Sequence, residues 1–258
     1  MTVAAAIVDL DGTVYRGSAP IPNAAAGVRA LRAAGVDVLF FSNNPTRPVS
    51  AYVEKLERMG IETTAEEILT SGVITTSYLR ERHAADDLFV VGTEGLRTQF
   101  RTAGLSVVEN AGLADVLVGS WDPSFDYETM AAVLSGFDDE FAFVGTDPDR
   151  TFPHEDGTMR PGSGAIINAL AGVLDAEPDA VLGKPASGAV DAALDRLDVP
   201  PSDCLVVGDR LDTDVELGQR AGMTTALVTT GVTDAEAAAT ADAPDYVLDD
   251  LGDVTRLL

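Results

Sequence analysis

The sequence predicts a doubly wound α/β protein: a parallel-sheet core interrupted by an inserted α/β unit. Three observations predict it. Short apolar runs alternate with stretches of helical periodicity, which is the grammar of βα units. The runs are apolar throughout rather than at every second residue, as strands covered on both faces are. Between Asn43 and Lys184 the core pattern is broken by a stretch far longer than the roughly 30 residues of one crossover unit.

The first run, VAAAIVDLDGT over 3–13, stops at Asp9, passes through Leu10 and Asp11 and turns at Gly12. Period-two geometry sends Asp9 and Asp11 toward a common side if the strand persists that far, and Gly12 allows a sharp turn beyond them. Residues 22–34 read as a helix with Val28 and Leu31 on one face and Gly35 as its stop. A second buried strand, VDVLFF over 36–41, ends at Ser42, Asn43 and Asn44. Pro48 opens a helix with Val49, Val53 and Leu56 aligned, and Gly60 closes it.

The insertion has its own rhythm, with strands expected over 88–92, 116–120 and 142–146 and helices over 94–103, 127–137 and 164–174. The expected division is a discontinuous core, 1–82 and 180–258, around an inserted domain, 83–179. The core pattern then returns. A short strand over 180–183 leads into Lys184 and Pro185, and a helix capped by Ser187 aligns Val190, Leu194 and Leu197. The run CLVVG over 204–208 ends at Asp209. Four apolar runs therefore end in polar residues: Asp9, Ser42, Lys184 and Asp209. In open α/β sheets, ligands bind beyond the carboxyl ends of the strands. If the four ends share one sheet edge, they form a pocket with acid, donor and cation in place. Two close carboxylates repel, so Asp9 and Asp11 need a cation, a shared proton or exposure to water.

Composition narrows the function classes. The 258-residue chain carries 42 acidic and 17 basic residues, a formal net charge of −25, which disfavours nucleic acid and anionic membrane as partners. With 46% hydrophobic residues the acidity does not imply disorder. Lys55 and Lys184 are the only lysines, and an acidic, folded, lysine-poor chain resembles proteins of salt-loving archaea. Cys204 is the single cysteine, which excludes an internal disulfide or a multi-cysteine zinc site. No run approaches the roughly 18 apolar residues of a membrane span, and the opening lacks a basic leader, so a soluble cytoplasmic protein is expected.

DLDGT at 9–13, SNN at 42–44, GKP at 183–185 and GDRLDTD at 208–214 resemble, in order and context, the four motifs of the haloacid dehalogenase superfamily. The insertion after the second motif, with TDPD at 146–149 and PGSG at 161–164, is similar to the class with a C2-type cap, and within it to the NagD, 4-nitrophenylphosphatase or phosphoglycolate phosphatase group. The resemblance implies a Mg2+-dependent phosphatase of small phosphorylated metabolites. Asp9 would be the nucleophile and Asp11 the proton carrier. Asp9, a backbone carbonyl of Asp11 and Asp209 would hold the metal. Ser42, Asn43 and backbone donors of Asn44 would hold phosphoryl oxygens, and Lys184 would neutralise their charge. Asp214 would orient Lys184 or a metal-bound water. The loop 147–152 would face the pocket, with Phe152 touching the leaving group, and a homodimer could form through the cap. Asp212 reads as an exposed carboxylate at a helix start, His83 and His154 as surface residues, and Trp121 as cap packing. Arg47 either touches substrate or serves its loop alone. The competing reading is a phospho-receiver or ligand-binding protein on a related fold, which would hold a phosphoryl group without turnover.

Overall fold

The computed structural model describes residues 3–138, 140–153, 158–241 and 243–258. Its core is a six-stranded sheet in the order Tyr246–Leu248, Thr224–Val228, Cys204–Gly208, Ala5–Asp9, Asp37–Ser42 and Ile68–Thr70, parallel throughout. The chain builds outward from Ala5–Asp9 in one direction and returns at Cys204–Gly208 to build in the other. The switch point therefore lies between these two strands, where a doubly wound sheet opens a crevice at its carboxyl edge. Asp9 and Asp209 stand on either side of it.

Alternation along the strands explains why they are apolar at every position. Ala5, Ile7, Leu39, Phe41 and Val206 enter one core cluster, whereas Ala6, Val8, Val38, Phe40 and Val207 enter another on the opposite face. Helices Ala24–Ala33 and Val49–Arg58 cover the second face through Val28, Leu31, Tyr52 and Leu56. Helices Ser71–Arg82 and Ser187–Leu197 cover the first through Ile74, Leu79, Ala189 and Ala193.

The inserted cap is built on a second, five-stranded parallel sheet: Ala180–Val181, Ala142–Gly145, Val116–Gly119, Asp87–Val91 and Ser106–Val108. Here one expectation is corrected. Ala180–Val181 pairs with Val144 and Gly145 of this second sheet, not with the core sheet, so the cap side extends past residue 179 and Lys184 leaves the end of a cap strand. Two residues with one pairing edge carry no mark of which sheet they will join; the partner decides. The two sheets are also not packed separately. The first core cluster continues from Ile74 and Leu79 through Leu96 and Phe100 to Val90, Val116 and Val144, all buried.

Several elements carry little sequence signal. Helix Ser71–Arg82 buries Ser71, Gly72 and Thr75 beside Ile74 and Leu79, so no apolar stripe marks it. Strands Ile68–Thr70 and Ser106–Val108 are three residues each, below the length at which alternation can be read.

Candidate active site

At the switch point Asp9 Oδ1 lies 2.6 Å from the Lys184 ammonium. The same nitrogen donates to Asp214 Oδ1 at 2.6 Å and to the Phe41 carbonyl at 2.9 Å. Lys184 is only 2% exposed, and these three acceptors use all three of its donors. In this arrangement it can offer an incoming anion its charge but no spare hydrogen bond. Burial disfavours its charge, but Asp214 and Asp9 outweigh that and raise its pKa above the ordinary lysine value.

Carboxylate oxygens of Asp9, Asp209 and Asp214 come within 4.8 Å of one another. Three carboxylates against one ammonium leave two negative charges, the complement of a divalent cation. Burial pushes the Asp9 carboxyl well above the usual range, opposed by Lys184, and burial together with Asp214 lifts Asp209 to about 7. Asp9 Oδ2 and Asp209 Oδ1 are buried with no hydrogen-bond partner, whereas Asp209 Oδ2 accepts from Val232 N at 2.6 Å. Buried anionic oxygens without donors are costly, and a hard cation taking one or two carboxylates resolves the cost. The residues therefore fit a divalent metal. Gly12 is required beside them: its φ is +95°, and a Cβ there would collide with the Asp209 carboxylate.

Asp11 is half-buried two residues on, and Tyr15 Oη donates to its Oδ2 at 3.4 Å. Burial raises its pKa, which Lys55 opposes. Ser42 Oγ accepts from Asn44 N at 3.1 Å, so that backbone donor is used within its own loop. Asn43 also departs from expectation. Its Oδ1 accepts from Lys184 N at 2.8 Å, and its Nδ2 donates to Lys184 O at 3.0 Å and Asp149 Oδ1 at 3.2 Å. The flanking N–H and C=O of Lys184 fix the amide's orientation, and both amide hydrogens are engaged. The side chain clamps the core loop to the cap instead of presenting a donor to phosphate.

These groups share a cavity of about 260 Å³ whose other walls include Trp121, Asp147, Phe152 and Arg210. Trp121 meets Phe152 edge-on with ring centroids 5.8 Å apart.

A haloacid dehalogenase-like hydrolase family model matches residues 6–106, and a HAD-hydrolase-like model matches residues 181–254. The sugar-phosphatase AraL of Bacillus subtilis is 32% identical over 251 residues, 97% of this chain and 92% of its own. This chain belongs to the haloacid dehalogenase-like hydrolases. The p-nitrophenyl phosphatase from Archaeoglobus fulgidus has the same fold at a TM-score of 0.91 with 35% identity, covering 100% of both chains. The glycerol phosphate phosphatase Rv1692 from Mycobacterium tuberculosis, solved in complex with calcium, aligns at a TM-score of 0.85 with 30% identity over 99% of this chain and 76% of its own. The chain is a phosphatase of the NagD and 4-nitrophenylphosphatase type, with phosphomonoesters as its substrates. The receiver and binding-protein alternatives are set aside.

Within this hydrolase all the expected motif residues reach one site: Asp9, Asp11, Ser42, Asn43, Asn44, Phe152, Lys184 and Asp209 line the cavity, and Asp214 joins it through Lys184. Trp121 is a cavity wall, not only packing; Asp147, in the loop expected to face the pocket, lines the cavity, and Arg210 is a further wall that the motif reading did not single out. The signal was present. Trp121 and Asp147 follow strands Val116–Gly119 and Ala142–Gly145, so the carboxyl-end rule that marks Asp9 marks them too. Burial pushes Asp147 up to about 8, aided by Asp149. Arg210 donates to the Thr151 carbonyl at 3.2 Å and forks onto the exposed Asp212 at 3.1 Å on both arms. Arg47 is exposed at the cavity mouth. His83 is half-buried and pairs with Asp86 at 2.8 Å, away from the site, whereas His154 lies outside the described residues. Among the described residues no helix is long and apolar enough to cross a membrane.

Two outcomes follow from the charge balance. Lys184→Met leaves Asp9 and Asp214 buried without their cation, and the expected loss is about 3–5 kcal/mol in urea unfolding at pH 8. The loss shrinks at pH 5, since burial raises the Asp9 carboxyl pKa and lets it regain its proton there more readily than at pH 8; a loss independent of pH would contradict the pairing. A divalent cation such as calcium or magnesium is expected to raise Tm more at pH 8 than at pH 5.5. Asp209, held at about 7 in the metal-free fold and lower when unfolded, makes the fold lose stability as pH rises through that range, and the cation restores it. Thermal denaturation with metal or with chelator reads the difference.

Proposed function

We propose that the chain hydrolyses small phosphomonoesters with Mg2+ through an aspartyl-phosphate on Asp9. The observation that carries this reading is the 2.6 Å contact between Lys184 and Asp9 beside two buried, donor-less carboxylate oxygens. Asp9, Asp209 and the Asp11 backbone would hold the cation, which supplies positive charge against the phosphoryl oxygens and the carboxylate cluster.

The protein's own groups account for the remaining steps. Asp9, as the carboxylate that its contact with Lys184 favours against the pull of burial, attacks phosphorus and forms an acyl-phosphate bond while the ester P–O bond breaks. Asp11, whose carboxyl pKa is raised by desolvation toward the work of a proton carrier, delivers its proton to the departing oxygen. Water then attacks the same phosphorus and passes a proton back to Asp11, which releases inorganic phosphate and returns Asp9 to its carboxylate. Lys184 balances the negative charge that grows on the transferring group. Ser42 and the backbone of the Ser42–Asn44 loop border the phosphoryl position, and Trp121 with Phe152 supplies an apolar wall for the organic part.

The cap would keep water from this cavity and determine which alcohol fits above the phosphoryl site. Its helix Tyr127–Gly136 exposes Tyr127 and Leu134 at 76% and 57%, so the proposal includes a homodimer through the cap.

Phosphate release from 4-nitrophenyl phosphate at high salt is expected to require added magnesium and to stop with chelator. Asp9→Asn is expected to abolish turnover while the protein stays folded, and Asp11→Asn to lower kcat by about 10²–10⁴-fold. Near-normal turnover by Asp9→Asn would mean that another group attacks. Light scattering is expected to report twice the chain mass; a monomer at working concentration would remove the dimer.

A further inference from the structure

Beside the catalytic cavity lies a second one, of about 480 Å³. Asp11, Asn44, Arg47 and Phe152 line both, so the two meet at the residue read as the proton donor. The far wall of the second cavity is helix Val49–Arg58, which contributes Lys55 and Arg58, three residues apart on one helical face.

Its charge runs against that of the chain. The protein holds 42 acidic residues for 17 basic ones. This cavity is lined by three basic residues, Arg47, Lys55 and Arg58, and Asp11 is the one acidic residue among its described lining. Lys55 is also one of only two lysines, the other being Lys184 in the catalytic cluster. Its ammonium stands 3.1 Å from the Tyr15 ring centroid, and Tyr15 in turn donates to Asp11. Arg32, Arg97, Arg101 and Arg220 are each paired with a carboxylate. Arg47 and Arg58, among the described residues, are not. Arg58 Nε donates to its own helix at Glu54 O, 3.0 Å away.

We propose that this second cavity seats an anionic group at the far end of the substrate's leaving group. The preferred substrates are then small phosphomonoesters that carry a second negative charge, a carboxylate or another phosphate. The inference rests on the phosphatase reading above. Asp11 must reach the ester oxygen to protonate it, and Asp11 lies on the boundary between the cavities. Phe152 lines both cavities, so a skeleton lying against it can carry its far end past Asp11 toward Lys55 and Arg58. Guanidinium and ammonium groups facing one carboxylate or phosphate form charge-assisted hydrogen bonds, and a neutral hydroxyl of the same size forgoes them.

The test uses matched esters: 3-phosphoglycerate against glycerol 3-phosphate for a carboxylate, and fructose 1,6-bisphosphate against fructose 6-phosphate for a phosphate. In the unaltered protein with magnesium, kcat/KM is expected to favour the doubly anionic member of at least one pair by about tenfold or more. Which pair shows it identifies the anion. The preference is expected to weaken as salt is added, because partly exposed charges are screened. In Lys55→Met with Arg58→Gln the ratio is expected to fall toward one, chiefly through KM for the doubly charged ester. Arg58→Gln alone, at an exposed position, supplies a variant that keeps its fold. Ratios near one in the unaltered protein, or a preference unmoved in the double variant, overturn the inference while 4-nitrophenyl phosphate is still cleaved. If no ester, 4-nitrophenyl phosphate included, is cleaved by folded protein, the phosphatase reading fails and this inference fails with it.

Discussion

The structure depends on one buried cation. Lys184 has almost no contact with water and is held by Asp9, Asp214 and the Phe41 carbonyl. Such a charge is tolerable only because its partners are anions, and they are tolerable only because it is present. The same contact joins the end of the first core strand, the end of the second, the loop after Cys204–Gly208 and the exit from the cap sheet. One ammonium nevertheless leaves the cluster short of positive charge. That deficit, with the donor-less oxygens of Asp9 and Asp209, prepares the site for a metal and for the charge of a phosphoryl group.

Around this centre the two sheets contribute in the same way. Asp9, Ser42 and Asp209 follow core strands, and Trp121, Asp147 and Lys184 follow cap strands, so one cavity collects the carboxyl ends of both sheets. The seam is held by polar clamps. Asn43 bonds both sides of the Lys184 peptide and Asp149, and Arg210 reaches the Thr151 carbonyl. A side chain that looks from its motif like a ligand for phosphate thus holds the framework that positions the ligands.

Much of this was legible in the sequence because fully apolar strands ending in Asp, Ser or Lys state both a buried layer and its open edge. Asp9, Asp11, Lys184 and Asp209 could be named from that pattern. The allegiance of Ala180–Val181 could not, since two residues have no alternation to read and their sheet is set by Val144 and Gly145. Helix Ser71–Arg82 escaped because small polar residues fill its buried face. The role of the Asn43 side chain was also hidden. Which of an amide's partners it meets depends on a peptide far along the chain, and motif spacing does not encode that distance. The place of Trp121 in the cavity wall was readable in principle, by applying to the second sheet the edge rule used for the first.

The apolar cluster that runs without a break from Ile7 through Leu79 and Phe100 to Val118 has a consequence for how this scaffold can diversify. A cap resting on a thin linker could be exchanged whole between lineages. Here a transplanted cap would have to restore the packing that Val90, Leu96 and Phe100 share in one apolar cluster with Ile74 and Leu79 of the helix covering the central sheet. A change of substrate is therefore reached with less disturbance of the packing by small edits at the rim than by exchange of the whole cap.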